Sequence, residues 1–297
     1  MLAYLTGGSG FVGGWLSAHL ESAGDEVIRT KTEVDVTDAE AITTSLVQAA
    51  PDVVYHLAAL AHVGRSWSDP ARTFEVNALG TLQVLEAASR CPVPPVVLVV
   101  SSAEVYGQTA GEAPLTEEVA LRPVTPYAAS KVAAEYLGVQ AWLGRGVRAI
   151  RVRPFNHVGP GQSPDFVVSA LARRIVEAER AGGGPVRVGN LEASRDFTDV
   201  RDVVRAYRLL AERGIAGEVY NVATGHSVTI ADVAHQLSAL AKVDVQLVPD
   251  PELMRPVDVP VFVGDATRLR ETTGWAPRIS LTSTLADMFD YWRMRPI

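Results

Sequence analysis

Eight residues near the start of the chain, Thr6-Gly7-Gly8-Ser9-Gly10-Phe11-Val12-Gly13, constrain the fold more than any other stretch. They stand between a short apolar run, residues 2–6, and a helical stretch from about Phe11 to Ala23. Glycines at a strand-to-helix junction permit a tight turn and let a pyrophosphate approach backbone N–H groups at a helix N-terminus. Two registers fit, Gly8-x-Gly10-x-x-Gly13 and the looser Gly7-x-x-Gly10-x-x-Gly13. The plainer reading is a glycine-rich structural turn, and the strand–helix context weighs against it.

The first half of the chain keeps this rhythm. Strands are predicted at 26–30, 33–36, 52–57, 95–101 and 147–153. Helices are predicted up to Ala49 (capped by Thr37 or Asp38), over 70–90 and over 125–143. Such alternation builds an α/β fold, a Rossmann-like, doubly wound parallel sheet with helices on both faces. After Arg153 the rhythm breaks at Pro154, Gly159, Pro160, Gly161 and Pro164. A helix then runs to about Ala181, 182–185 reads as a loop, and 219–222 as one more core strand. The expected organisation is a dinucleotide-binding domain over 1–154, with segments near 197–224 and 258–264 returning to it. Residues 155–196 and 225–297 would form a smaller, discontinuous substrate-binding lobe.

Composition narrows the class. A chain of 297 residues, 47% hydrophobic and 21% charged, can bury its core without covalent staples. One cysteine, Cys91, excludes an internal disulfide framework, and the scattered His56, His62, His157 and His226 suggest no metal site. With 27 basic against 34 acidic residues, net −7, binding to nucleic acid through bulk charge is disfavoured. No apolar run approaches the ~20 residues of a membrane span. No lysine or arginine precedes Arg29, so a signal peptide is not expected. The expectation is a soluble, cytoplasmic enzyme without nucleic-acid or membrane partners.

Where NAD-binding chains place an acid after the second strand, this one reads Val27-Ile28-Arg29-Thr30-Lys31. Arg29, with Lys31, can meet a 2′-phosphate, so NADP(H) is preferred, with NAD(H) possible; a solvated surface cation is the alternative. Asp35 can sit near the adenine. Further on, Tyr127 and Lys131 stand one helical turn apart behind Thr125, a natural N-cap, and Pro126. An ammonium there favours phenolate and can lower a tyrosine pKa of ~10 by ~1–3 units. An ordinary surface pair is the alternative. The apolar strand before Ser101 ends in Ser102-Ala103-Glu104, at the sheet edge where ligands bind in such folds. Ser102 can hydrogen-bond a substrate oxygen beside Tyr127, or simply cap the strand end. Glu104 adds a carboxylate at the same rim, or is a solvated loop acid.

Together these residues resemble the extended short-chain dehydrogenase/reductase superfamily. The likeness rests on the glycine turn, His56-Leu57-Ala58-Ala59, Asn77 before Ala78-Leu79-Gly80-Thr81, Ser102 four residues before Tyr106-Gly107, and Tyr127-x-x-x-Lys131. It spans essentially the whole chain. Arg153-Pro154-Phe155-Asn156-His157-Val158-Gly159-Pro160, Arg195-Asp196-Phe197-Thr198-Asp199 and Gly217-Glu218-Val219-Tyr220-Asn221 are similar to its nucleotide-sugar branch. Arg255-Pro256-Val257-Asp258-Val259-Pro260, Gly264-Asp265 and Thr273-Gly274-Trp275 are similar to members acting on GDP-linked 6-deoxy-hexoses.

The resemblance implies a catalytic trio of Ser102, Tyr127 and Lys131. It implies cofactor contacts from Gly7, Gly10, Phe11, Val12, Gly13, Arg29, Asp35, Val36, Leu57, Ala58, Ala59, Asn77, Tyr127, Lys131, Pro154 and His157. Asn156 would lie near substrate and nicotinamide, and Arg195 and Arg255 would grip the substrate diphosphate. A sugar diphosphate indeed needs fixed cations, and arginine offers planar, multidentate donors. A salt bridge between Arg195 and Asp196, or a turn role for Asn156, remains the alternative. The implied reaction is NAD(P)H-dependent reduction of the C4 ketone of a GDP-4-dehydro-6-deoxy-hexose to GDP-D-rhamnose, with Tyr127 as proton donor. The alternatives are 4,6-dehydration of GDP-mannose, with Glu104 as base, and another nucleotide-sugar epimerase or ketosugar reductase. A cofactor-binding sensor without chemistry is disfavoured by the presence of both the Tyr–Lys pair and the strand-end hydroxyl. The resemblance also implies a homodimer, two helices from each subunit forming a four-helix bundle.

Overall fold

A computed structural model of the chain describes residues 1–30, 34–108, 114–253 and 259–296. Lys31, Glu33 and Arg255 lie outside the described residues.

β1 (Leu2–Thr6) runs through the glycine turn into α1 (Phe11–Ser22). β2 (Glu26–Arg29) is followed by α2 (Ala39–Ala49), whose Asp38 cap accepts from the amides of Glu40 and Ala41. The strand expected at 33–36 does not form over its described part: Val34 and Asp35 are irregular, and Val36 and Thr37 make a turn. Asp35 explains this, because its carboxylate accepts from both the amide and the hydroxyl of Thr37 and bends the backbone away from an extended path.

β3 (Val53–His56) is buried throughout. After α3 (Val63–Ser66) come α4 (Pro70–Phe74), a π-helical turn at Glu75–Leu79 and α5 (Gly80–Ser89), without a break. The helix expected over 70–90 therefore forms with one wider turn inserted. β4 (Val96–Val100) ends in a 3₁₀ turn, Ala103–Tyr106. α6 (Pro126–Arg145) starts at the expected cap, the Thr125 hydroxyl accepting from the Ala128 amide at 3.0 Å. β5 (Arg148–Pro154) follows.

Beyond it come β6 (Asn156–Val158), α7 (Val167–Arg180), β7 (Gly184–Val188), β8 (Ser194–Arg195), β9 (Phe197–Asp199), α8 (Val200–Arg213) and β10 (Val219–Val222). Then come β11 (Val228–Thr229), α9 (Ile230–Leu240), β12 (Val245–Pro249), β13 (Val261–Phe262), α10 (Thr267–Thr273) and α11 (Leu281–Arg293). The stretch 182–185, expected as loop throughout, already enters β7 at Gly184 because 184–188 pairs in parallel with β12.

Six strands form one parallel sheet in the order β10-β5-β4-β3-β1-β2. Side chains alternate across it. Ala3, Leu5 and Tyr55 face a core with Leu16 and Leu20 of α1 and Val203 and Tyr207 of α8. Tyr4, Val54 and Val97 face the other core, with Ile42, Leu46, Leu85 and Ala134. A separate core gathers α7, β7, α9 and α11 around Ile175, Leu237 and Phe289. Leu269 and Trp275, late in the chain, pack in the first core. The sheet order reverses between β1 and β3, and the crevice beyond the carboxyl ends of strands at such a point is where ligands bind. Among the described residues no helix is long and apolar enough to cross a membrane, and no group of His, Cys, Asp or Glu is arranged to hold a metal.

Candidate active site

The glycine turn sits at that crevice, and its geometry selects one register. Gly7 has φ +69°, and a Cβ there would lie 2.7 Å from the Ala58 backbone nitrogen. A Cβ on Gly13 would lie 2.5 Å from the Gly7 carbonyl oxygen. Gly7 and Gly13 are therefore required by the backbone, with Gly10 capping α1. Gly8 only rests on the Arg29 side chain. The spacing Gly7-x-x-Gly10-x-x-Gly13 is thus the structural one, and the β1 turn meets Leu57 and Ala58 at the end of β3. Phe11, Val12, Leu57, Ala58 and Ala59 are all half-buried around it. Such a cradle, tight against backbone and closed by a helix N-terminus, fits a dinucleotide pyrophosphate.

At the carboxyl end of β2 the charged side chains are engaged in ion pairs. Arg29 is exposed and donates to Glu21 at 3.1 Å. Asp35 meets Arg72 at 3.4 Å, and the Thr37 amide and hydroxyl hold its carboxyl below the usual range. Val36 is buried beneath Gly80, where a Cβ would lie 2.8 Å from its Cγ2. Asn77 lies in the π turn and is buried; its Oδ1 accepts from the Leu60 amide at 2.8 Å and its Nδ2 donates to Ser130 Oγ at 3.0 Å. It ties the segment after β3 to α6. His56, expected to be structural, bridges Thr6 and Thr81, and burial brings its pKa down to about 3.

Tyr127 and Lys131 lie on one face of α6, both buried. Burial pushes the Tyr127 phenol up to about 12; a hydrogen bond with Ser102 offsets part of this, and the Glu104 carboxylate adds to it. This corrects the expected acidification by Lys131. The ammonium donates to the Val100 carbonyl at 2.9 Å, and removing the phenolate from water costs more than its neighbours return. Burial lowers Lys131 itself to about 8, against the pull of Glu135. Tyr127 therefore holds its proton at neutral pH, the state of a donor. Ser102 hydrogen-bonds with Tyr127, and its Oγ accepts from the Glu104 amide at 3.2 Å, the capping role read as the alternative. Glu104 is half-buried at the same rim.

On the far side of the crevice, Pro154 ends β5 and is buried, and Asn156 is exposed in β6. His157 stacks on Phe11 with ring centroids 6.3 Å apart, so the two flanks of the crevice touch. Arg195 donates from Nη1 to the Ser194 and Val259 carbonyls at 2.8 and 2.7 Å. The neighbouring Asp196 is buried and accepts from the Thr224 hydroxyl and the Thr224 and Gly225 amides.

Sequence reasoning missed the supports beneath this site. The Ser66 hydroxyl accepts from the Tyr127 amide at 3.2 Å, and Glu135 forms a buried ion pair with Arg153. Only the i, i+4, i+8 spacing of Tyr127, Lys131 and Glu135 signalled the second.

Comparison with known proteins places the chain among relatives of the same fold. The chain is 38% identical over 296 residues to the GDP-6-deoxy-D-mannose reductase of Pseudomonas aeruginosa, covering 98% of this chain and 97% of that protein. It is 31% identical over 317 residues to the UDP-glucose 4-epimerase of Mycolicibacterium smegmatis, covering 99% of each. A solved structure of RMD from Pseudomonas aeruginosa complexed with NADPH superimposes with a TM-score of 0.92 at 36% identity, over 99% of both chains. Residues 29–288 match the family described as GDP-mannose 4,6 dehydratase. With its parallel sheet, glycine turn and Tyr–Lys pair, the chain belongs to that family of extended short-chain dehydrogenases/reductases.

Proposed function

We propose that this protein reduces the C4 ketone of a GDP-linked 4-dehydro-6-deoxy-hexose with NADPH, giving GDP-D-rhamnose. The observation that carries the reading is the buried Tyr127 phenol, protonated at neutral pH and hydrogen-bonded with Ser102 at the crevice rim. The reductase relative and the NADPH-bound neighbour support the substrate class and the cofactor. NADPH, when bound, supplies the hydride. Tyr127 gives its proton to the oxygen that develops charge at C4, and Ser102 hydrogen-bonds the same oxygen. Lys131 orients the cofactor ribose and returns positive charge to the site. The amides of the Gly7–Gly13 turn hold the pyrophosphate, and Arg29 turns from Glu21 to a 2′-phosphate. Asn156 faces the sugar, and Arg195 with Arg255 meets the diphosphate.

In this reading residues 1–154 and the returning segments bind the dinucleotide, and the α7–α9–α11 core carries the substrate lobe. The protein works in the cytoplasm as a homodimer through the α4–α5 and α6 helices, which expose Phe74, Leu79 and Tyr136. Product analysis by NMR with GDP-4-dehydro-6-deoxy-mannose and NADPH tests the reaction. GDP-rhamnose is the expected product; GDP-6-deoxy-talose would reverse the assigned sugar face, and no turnover would overturn the reading.

A second reading has one observation in its favour. Glu104 is close enough to act on Tyr127, and a carboxylate there can remove a C5 proton during a 4,6-dehydration. Conversion of GDP-mannose to a 4-ketosugar without net NADPH consumption would establish it.

A further inference from the structure

Behind the proposed proton donor lies a buried ionic cluster. Glu135 follows Lys131 by four residues, as Lys131 follows Tyr127, so the three share one face of α6. Its carboxylate accepts from Nε and Nη2 of Arg153 on β5, at 2.9 and 2.7 Å. Nη1 of the same guanidinium donates to the Tyr106 hydroxyl at 3.0 Å and to the Glu117 carbonyl at 3.2 Å. Tyr106 closes the 3₁₀ turn that Ser102 caps and that contains Glu104. Its hydroxyl in turn donates to Asn221 Oδ1 on β10 at 2.7 Å.

Stability alone gives little reason for this arrangement, because well-packed apolar residues often replace a buried ion pair at no loss. Its reach is geometric. One planar guanidinium grips both polypeptide segments that carry the reacting groups. Their relative placement matters, since a displacement of ~1 Å can cost ~10²-fold in rate.

We propose that Arg153, held between Glu135 and Tyr106, is a positioning residue that fixes the helix bearing Tyr127 and Lys131 against the turn bearing Ser102 and Glu104. The proposal rests on the reductase reading for the roles of those groups. It has a second consequence, because the Glu135 carboxylate also favours the Lys131 ammonium. The other groups around Lys131 are Tyr127 on its own helix, the neutral His56 from β3 and the Val100 carbonyl from β4. Glu104 acts on Tyr127 from the turn. The charges on the helices packed against α6, namely Arg65, Arg72, Glu75 and Glu86, are occupied in surface ion pairs.

Lys31, Lys131 and Lys242 are the three lysines of the chain, so ¹³C-labelled lysine resolves the Lys131 amine by NMR. In Glu135→Gln its titration is expected to move to lower pH by about half a unit or more. Tyr106→Phe removes one arm of the clamp without stranding a charge. It is expected to lower kcat ~10-fold while KM for the nucleotide sugar stays within about twofold. An unmoved Lys131 titration, or a Tyr106→Phe enzyme with wild-type kcat, overturns the proposal. If Glu135→Gln does not fold, Tyr106→Phe decides. If the wild-type protein turns over no ketosugar, the reductase reading fails, and the lysine titration still judges the clamp.

Discussion

Burial keeps the proton on Tyr127, and this shapes what its loss should do. The hydroxyl lies at the rim, while the helix is anchored by Thr125, Ser66 and Ser130, none of which depends on that oxygen. Tyr127→Phe is therefore expected to fold and still bind GDP but lower kcat by ~10²–10⁴, measured as NADPH consumption. A second expectation concerns pH. Lys131 is lowered to about 8 from its ordinary 10.5, so its charge is present below pH 8 and lost above it. The phenol at about 12 stays protonated through that range. The rate should fall as pH rises through about 8, and Lys131→Met should abolish that limb of the kcat profile. At this scale the sequence marked the residues proposed to react but not their protonation. Tyr127-x-x-x-Lys131 announces two groups on one helix face; it does not tell how deeply they are buried, and burial decides the sign of the shift.

Among the elements, the clearest dependence is the packing of α1 against the end of β1. A methyl group on Gly13 would meet the Gly7 carbonyl, whereas Gly14 has nothing within 4 Å. Gly13→Ala is expected to cost ~1–3 kcal/mol in urea unfolding and to weaken NADPH binding, since the turn must shift. Gly14→Ala, one residue on, should instead stabilise by ~0.5–1 kcal/mol through helix propensity. The pairing of these outcomes separates the backbone contact from a general effect of alanine. The strands of the parallel sheet were legible because buried runs such as Val96–Val100 are almost purely β-branched. The described part of the strand expected at 33–36 places Val34 and Val36 on either side of Asp35, but Asp35 turns the backbone onto Thr37. The π turn at Glu75–Leu79 left no trace in periodicity, because one wider turn only slips the apolar face, and Phe74 stays 39% exposed while Ala78 is buried.

At the scale of the molecule, the proposed pairing of two subunits would cover apolar residues left outside. Leu79 is 52% exposed and Tyr136 63%, on the helices proposed to pair two subunits. Tyr136→Glu is expected to shift the sedimentation equilibrium from dimer towards monomer with the far-UV spectrum unchanged; a monomeric wild-type protein would remove the pairing. The return of 219–222 to the parallel sheet was legible as a late apolar run. The return of Leu269 and Trp275 to the first core was not, since isolated apolar residues in a mixed segment carry no periodic signal.

The placement of β10 beside β5 also governs how the nascent polypeptide must mature. During synthesis β5 emerges with a bare edge, and the side later covered by α8 stays open until dozens more residues have left the ribosome. The first half of the chain is thus expected to complete its sheet only once β10 arrives. Protease resistance of arrested nascent chains is expected to rise only after Val222 clears the exit tunnel, and resistance acquired soon after Pro154 would show that the early segment matures alone.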